Sequence, residues 1–272
     1  MKVAALWTGG KDSSLACYKA LKEKLDVAFV MTFIWDQPPP SHPLPMIKLQ
    51  SEALQIPFYW QRASPPYFED YKQAILELKE DYGIEGIVTG DISRVDSFHG
   101  NWIDDVCKGT GIEVIKPLWE LDRLRIVKDL LRSGFKVIFT CVKKPWFNED
   151  WLGREVDAQT VRELEVLSKE TGMDICGENG EYHTMTVDAP FYKKTINVSK
   201  FETEKINNSY IMKPVDLSLT PKKKQSLQHN TYLHFQTRTG LSNKPRSVRM
   251  VSTRFCANAV FRKFRSLLPQ AL

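Results

Sequence analysis

Thr8-Gly9-Gly10-Lys11-Asp12-Ser13 follows the apolar run KVAALW at 2–7 and precedes Leu15, Tyr18, Leu21 and Leu25, which recur at helical spacing. The pattern reads strand, glycine turn, helix. At such a junction the backbone N–H groups and the positive end of the helix dipole favour an anion. Gly9 and Gly10 let the main chain approach phosphate oxygens, Lys11 adds charge, and Thr8 and Ser13 add hydroxyl donors. The segment matches neither the G-x-x-x-x-G-K-[ST] loop nor the spaced G-x-G-x-x-G of dinucleotide binders. Asp12 is the odd member. A carboxylate among phosphates repels them unless a divalent cation lies between, so Asp12 points to Mg²⁺ and is the candidate metal ligand. The competing reading is a plain glycine turn with a capping Asp; the flanking strand and helix favour nucleotide phosphate binding.

Outward from this loop, residues 27–35 form an almost continuous apolar run that suits a strand buried on both faces of a parallel sheet. Five prolines between 38 and 45 mark a stiff loop before a helix around 46–55. A strand near 56–61, a helix near 67–81, a strand at 84–89, a helix at 100–109 and a strand at 112–116 follow. This alternation predicts an α/β fold, a Rossmann-like open parallel sheet covered by helices. Beyond about 120 it weakens: a helix at 122–133, a strand at 136–142, a helix at 157–171, then strand-like pieces near 174–177, 182–188 and 193–199. We expect a nucleotide-binding domain over 1–120, a smaller C-terminal α+β domain over 121–214, and a basic, disordered tail over 215–272.

The chain has 272 residues with 42% hydrophobic and 26% charged, which excludes disorder throughout and any collagen-like repeat. No apolar run reaches the ~18 residues of a membrane span. Cysteines 17, 107, 141, 176 and 256 form no C-x-x-C pair, which argues against a disulfide framework, a zinc site or an iron–sulfur cluster. A reducing, cytoplasmic address is expected. The net charge of +5 is unevenly spread, since residues 217–272 hold 11 Lys or Arg and no acid. The remainder is mildly acidic, so its charge does not announce nucleic-acid binding. Lys222-Lys223-Lys224 and the later arginines could track RNA phosphates on the ribosome. The end of the tail, with Ala257, Val260, Phe261, Phe264 and Leu268 on one helical face, reads as a basic amphipathic segment; a solvated extension without a role is the competing reading.

Two further segments carry chemistry. Asn179-Gly180 is a strong hairpin signal, and a two-residue turn there would set Glu178 and Glu181 opposite one another. Like charges so placed are destabilising unless a cation, an ammonium or a hydrogen-bond donor bridges them. Gly90-Asp91 closes the fourth strand, where open α/β sheets bind ligands, and Asp91 could hold a ribose hydroxyl or a metal, or cap a helix. His99 near a helix start, and Trp7, Trp35, Trp102 and Trp119, read as structural.

The loop at 8–13 resembles the PP-loop of ATP pyrophosphatases, which cleave ATP between its α and β phosphates; Thr8 keeps the hydroxyl of their usual Ser. Three further segments follow in order: Gly86-Ile87-Val88-Thr89-Gly90-Asp91-Ile92 continuing to Pro117-Leu118-Trp119, then Leu152-Gly153-Arg154, then Cys176-Gly177-Glu178-Asn179-Gly180-Glu181-Tyr182-His183-Thr184 with Asp188, Pro190 and Phe191. Over about 1–200 the chain is similar to the diphthine–ammonia ligase family. Its signature Glu-Asn-Gly-Glu-Tyr-His-Thr follows the bacterial-type branch, where eukaryotic and archaeal ligases carry Glu-Gly-Gly-Glu-Tyr-Glu-Thr. His183 in place of a Glu bears on the substrate rather than on the ATP chemistry.

The resemblance implies an adenine nucleotide α-hydrolase-like fold, ATP and Mg²⁺ as cofactors, and ammonium and elongation factor 2 as partners. It implies an ATP-dependent ligase: the diphthine carboxylate attacks the α-phosphate, pyrophosphate leaves, and ammonia displaces AMP to give an amide. Thr8, Gly9, Gly10, Lys11, Asp12, Ser13, Gly90 and Asp91 would hold the nucleotide, with Lys11, Asp12, Glu178 and Glu181 catalytic. A tRNA-modifying ATP pyrophosphatase is an alternative, disfavoured by the missing cysteine cluster and the acidic body. A non-catalytic nucleotide-binding module is another, though it has no need of Lys11 and Asp12 in such a loop.

Overall fold

The computed structural model describes residues 1–34, 41–94 and 101–222. His99, Trp35, Cys256 and all of the tail beyond Lys222 lie outside them. The first half alternates strand and helix: β1 (Lys2–Leu6), α1 (Lys11–Lys22), β2 (Asp26–Ile34), α2 (Leu44–Leu54), β3 (Phe58–Arg62), α3 (Phe68–Tyr82), β4 (Gly86–Val88), α4 (Trp102–Cys107) and β5 (Glu113–Ile115). Its five strands are parallel in the order β3-β2-β1-β4-β5. Both faces are covered, and β1 shows why: Val3 and Ala5 point into one apolar cluster and Ala4 into another, the period of two expected of a strand. The expected α/β, Rossmann-like sheet is thus present.

The second half comprises α5 (Arg123–Arg132), β6 (Lys136–Lys143), α6 (Ala158–Thr171), β7 (Tyr182–Asp188), β8 (Lys194–Ile206) and β9 (Ser209–Pro221). Its strands form an antiparallel sheet in the order β7-β6-β9-β8. Asp122 and Asp157 cap α5 and α6 by accepting from Arg125 N and Thr160 N, both at 2.8 Å. One apolar cluster joins Leu15 of α1, Ile126 of α5, Phe139 of β6 and Met185 of β7, so the two sheets share a core.

Three expectations need correction. Residues 174–177 are not a strand, and Asn179-Gly180 does not join two strands: Gly180 N donates to Gly177 O in a turn, and β7 begins only at Tyr182. The hairpin lies instead at Asn207-Asn208, between β8 and β9, with Ile206 facing Ser209. Nor does the tail start at 215, because β9 continues through Pro221. There Leu217 and Leu219 pack against the core while Ser218 and Thr220 face solvent, an alternation hidden inside a polar composition.

The outer ends of β1 and β4 meet where ligands bind in open parallel sheets. Gly90, just past β4, lies against the start of α1: a Cβ there would sit 2.6 Å from Ser13 N and 2.7 Å from the Asp12 carbonyl carbon. Both obstacles are backbone and cannot rotate away. Gly90→Ala should therefore lower the stability by about 1–3 kcal/mol, read from the urea midpoint. An unchanged midpoint would show that β4 and the loop do not touch.

Candidate active site

The glycine loop is held from behind by two side chains and a strand. Gly9 has φ +77° and its carbonyl accepts from Gln50 Nε2 (2.8 Å) and from Thr186 N (2.9 Å). Gln50 is fully buried; its Oε1 accepts from Trp7 Nε1 (2.9 Å), and its Nε2 also donates to Thr186 O (2.8 Å). A Cβ on Gly9 would stand 2.2 Å from that amide oxygen, so only glycine fits. Lys11 N donates to Thr184 Oγ1 (3.2 Å). Within the loop, the hydroxyls of Thr8 and Ser13 lie 3.2 Å apart, and Gly10 opens α1 without a side-chain cap. With the Lys11 amide taken by Thr184, the first-turn amides that follow it are the ones open to an anion.

In front of the loop lies a cavity of about 180 Å³ lined by Thr8, Gly10, Lys11, Asp12, His42, Glu178 and His183, among others. The Lys11 ammonium is buried, donates to Asp12 Oδ2 (2.8 Å) and to Cys176 O (2.5 Å), and sits 5.2 Å from the centre of the Tyr182 ring. Burial alone favours the neutral amine, but Asp12 and its other neighbours outweigh it and hold Lys11 charged. Burial pushes the Asp12 carboxyl upward against the pull of Lys11. Its second oxygen, Oδ1, is buried and has no hydrogen-bond partner among the described residues. Across the cavity, burial and then the Asp12 charge push the Glu178 carboxyl up to about 7, against Lys11 and Arg123.

The expected residues do not all meet there. Glu181 is buried and turned into the chain, accepting from Asp174 N (2.9 Å), Asn179 N (3.0 Å) and Asn179 Nδ2 (3.2 Å). It does not oppose Glu178; it organises the turn that presents Glu178. Asp91 accepts from Asn101 Nδ2 (2.6 Å), whose Oδ1 caps α4 at Ile103 N (2.9 Å). Gly90 backs the start of α1 and Asp91 braces the α4 cap, and neither lines the cavity. Trp7 is a core residue, as its apolar neighbours implied.

An Oδ1 that is desolvated and unpartnered suits a divalent cation. No group of three metal-ligating side chains exists among the described residues, so a metal here would depend on one carboxylate, substrate oxygens and water. Mg²⁺ is commonly held that way. Sequence reasoning missed Gln50 and His42, and gave Thr184 no role beyond its place in the signature. His42 meets His183 edge to face, ring centres 5.1 Å apart, and its Nδ1 lies 3.1 Å from Ser41 Oγ. Burial, then His183 and Lys11, pull His42 down to about 3; burial and Lys11 pull His183 down to about 4.

Residues 1–114 match the family described as Diphthamide synthase N-terminal domain, and residues 122–213 the Diphthamide synthase C-terminal domain. The diphthine–ammonia ligase of Mus musculus is 27% identical over 228 residues, covering 74% of this chain and 84% of its own. That of Homo sapiens is 26% identical over 232 residues, with the same coverage of 74% and 84%. A solved structure of a predicted subunit of tRNA methyltransferase from Methanocaldococcus jannaschii aligns with TM-score 0.41 and 18% identity, over 70% of this chain and 98% of that one.

The two imidazoles make the fold sensitive to acid. Unfolded, each titrates near 6.5; folded, they titrate near 3 and 4, so the unfolded chain binds more protons in between. Their contribution is complete above pH 6.5 and is lost as pH falls toward the folded values. By pH 5 the loss should be on the order of 1–2 kcal/mol per histidine. Urea titrations of wild type and His42→Gln/His183→Gln at pH 7.5 and 5 check this: the double variant should lose less stability on acidification, and equal slopes would refute it.

Proposed function

The chain belongs to the diphthamide synthase family, and from that premise we propose that it is an ATP-dependent acid–ammonia ligase amidating the diphthine side chain of elongation factor 2. The observation that carries the proposal is Asp12 Oδ1, a buried carboxylate oxygen without a partner at the mouth of an uncapped glycine loop. A phosphate-binding loop alone would need no such group.

In this reading Thr8, Gly9, Gly10 and Ser13 cradle the β and γ phosphates with the first-turn amides of α1, and Lys11 neutralises the departing pyrophosphate. Asp12 Oδ1 is the residue atom that would hold Mg²⁺, which when bound would supply further neutralisation of that charge. The acceptor carboxylate oxygen attacks the α-phosphorus, and the bond to the bridging oxygen of pyrophosphate breaks. Ammonia then adds to the acyl carbon and AMP leaves with its oxygen. Glu178 takes the proton that the nitrogen must lose, and a carboxyl pushed up to about 7 is well matched to that task. Glu181 is a positioning residue, holding the turn that carries Glu178. Gly90 and Asp91 brace the loop and the α4 cap from behind. The reaction is assigned to the cytoplasm; among the described residues, no helix is long and apolar enough to cross a membrane.

The test is incubation with Mg-ATP, ammonium and diphthine-bearing elongation factor 2. Equimolar AMP and pyrophosphate should form only when all components are present, and the acceptor mass should change from acid to amide. Asp12→Ala should reduce turnover roughly 100-fold or more, and Glu178→Gln by a comparable factor, with the fold retained. ATP binding without turnover on any acceptor, or full activity of Asp12→Ala, would overturn the proposal.

A further inference from the structure

A second cavity, of about 400 Å³, abuts the first, and His183 lines both. The end of β6, with Cys141 and Lys143, forms one side, and the Asn207-Asn208 turn forms another. That turn is fixed over β6 by Lys144 N, which donates to Asn208 O (2.8 Å). Opposite stands Ser41, whose carbonyl accepts from Thr140 Oγ1 of β6 (2.9 Å). Adjacent residues thus fall in different cavities, Ser41 in the larger and His42 in the smaller. His183, paired with Cys141 across β6 and β7, completes the partition between them.

Size and chemistry both bear on what the second cavity takes. Its volume suits a substituted side chain and far exceeds what ammonia needs. Among the described residues no Asp or Glu lines it, whereas the Lys143 ammonium and two asparagine amides offer donors. Among the described residues, no ion pair engages Lys143. A partly buried cation with uncommitted amide donors favours a carboxylate ligand.

We infer that this cavity receives the carboxylate-bearing side chain of the protein acceptor, with Lys143 as counter-ion and His183 as the wall past which the carboxylate reaches the phosphate loop. The inference rests on the ligase reading above and adds where the acceptor enters. It also assigns the exposed Asn207-Asn208 turn to the rim that the acceptor protein meets.

Wild type, Lys143→Glu, Lys143→Arg and Asn208→Trp are compared by ATP Kd, by the KM for elongation factor 2 in ammonium-dependent AMP release, and by Tm. Lys143→Glu and Asn208→Trp should each raise the acceptor KM about tenfold or more, as expected for a lost charge-assisted bond or a blocked pocket. ATP Kd should stay unchanged, and Lys143→Arg should remain close to wild type. An unchanged acceptor KM in both variants overturns the inference while the ligase reading stands. A parallel rise in ATP Kd also overturns it, because the cavity would then serve the nucleotide. If the wild type releases no AMP with any acceptor, the ligase reading fails and takes the inference with it. Asn208 is exposed on its turn, so Asn208→Trp keeps the test decisive if Lys143→Glu does not fold.

Discussion

The architecture depends on the carbonyl of Gly9. Apart from the Gly10 and Lys11 amides, which meet the Thr8 and Thr184 hydroxyls, the loop is held through its acceptors. Gln50 of α2 and the backbone of Thr186 in β7 supply that hold, and Trp7 fixes the Gln50 amide in turn. Two elements distant in sequence, α2 and β7, thereby converge on one oxygen. The bonds are buried, where leaving a polar group unmade is costly, so the loop geometry is coupled to the shared core.

This coupling explains why the second sheet takes part in a site built on the first. β7 contributes Tyr182 beneath the Lys11 ammonium, His183 between the two cavities, Thr184 on the Lys11 amide and Thr186 on the Gly9 carbonyl. The residues just before it form the turn that carries Glu178, tied down through Glu181 and through Asp174, which pairs with Arg123 (3.0 Å). Two carboxylates three residues apart thus have different tasks because only one has its lone pairs filled by backbone amides. Asp12 and Glu178, each with an unfilled or desolvated carboxyl, face a lysine that burial alone would have neutralised. Such a cluster is suited to a ligand that brings its own charges.

Local features were the legible ones. The strand–glycine–helix junction and the alternation through β5 depend on neighbours within a few residues, and reading them pointed to the loop and Asp12, whereas Glu178 was singled out from the Asn179-Gly180 turn and the family resemblance. Gln50, His42 and the role of Thr184 escaped because each acts on a partner contributed by a different element, and nothing in the surrounding sequence marks Gln50 as more than one polar residue on a helix. Asn179-Gly180 misled because the turn is real while the strand expected before it is absent; the Glu181 carboxylate occupies the amides that a partner strand would have used. The Asn207-Asn208 hairpin was obscured by long strands whose exposed faces carry Lys, Glu, Ser and Thr in the manner of a solvated extension.

The bond from Thr186 to Gly9 has one more consequence. β7 ends its sheet, and an uncovered margin of that kind invites pairing with other chains. Here part of the margin is already engaged by the glycine bend, so the contact that shapes the bend also shields a sticky border. At the opposite border β8 relies on Lys200, Glu202, Glu204 and Lys205 instead. A lesion that frees the bend would therefore be felt twice, as lost turnover and as a new tendency to self-associate.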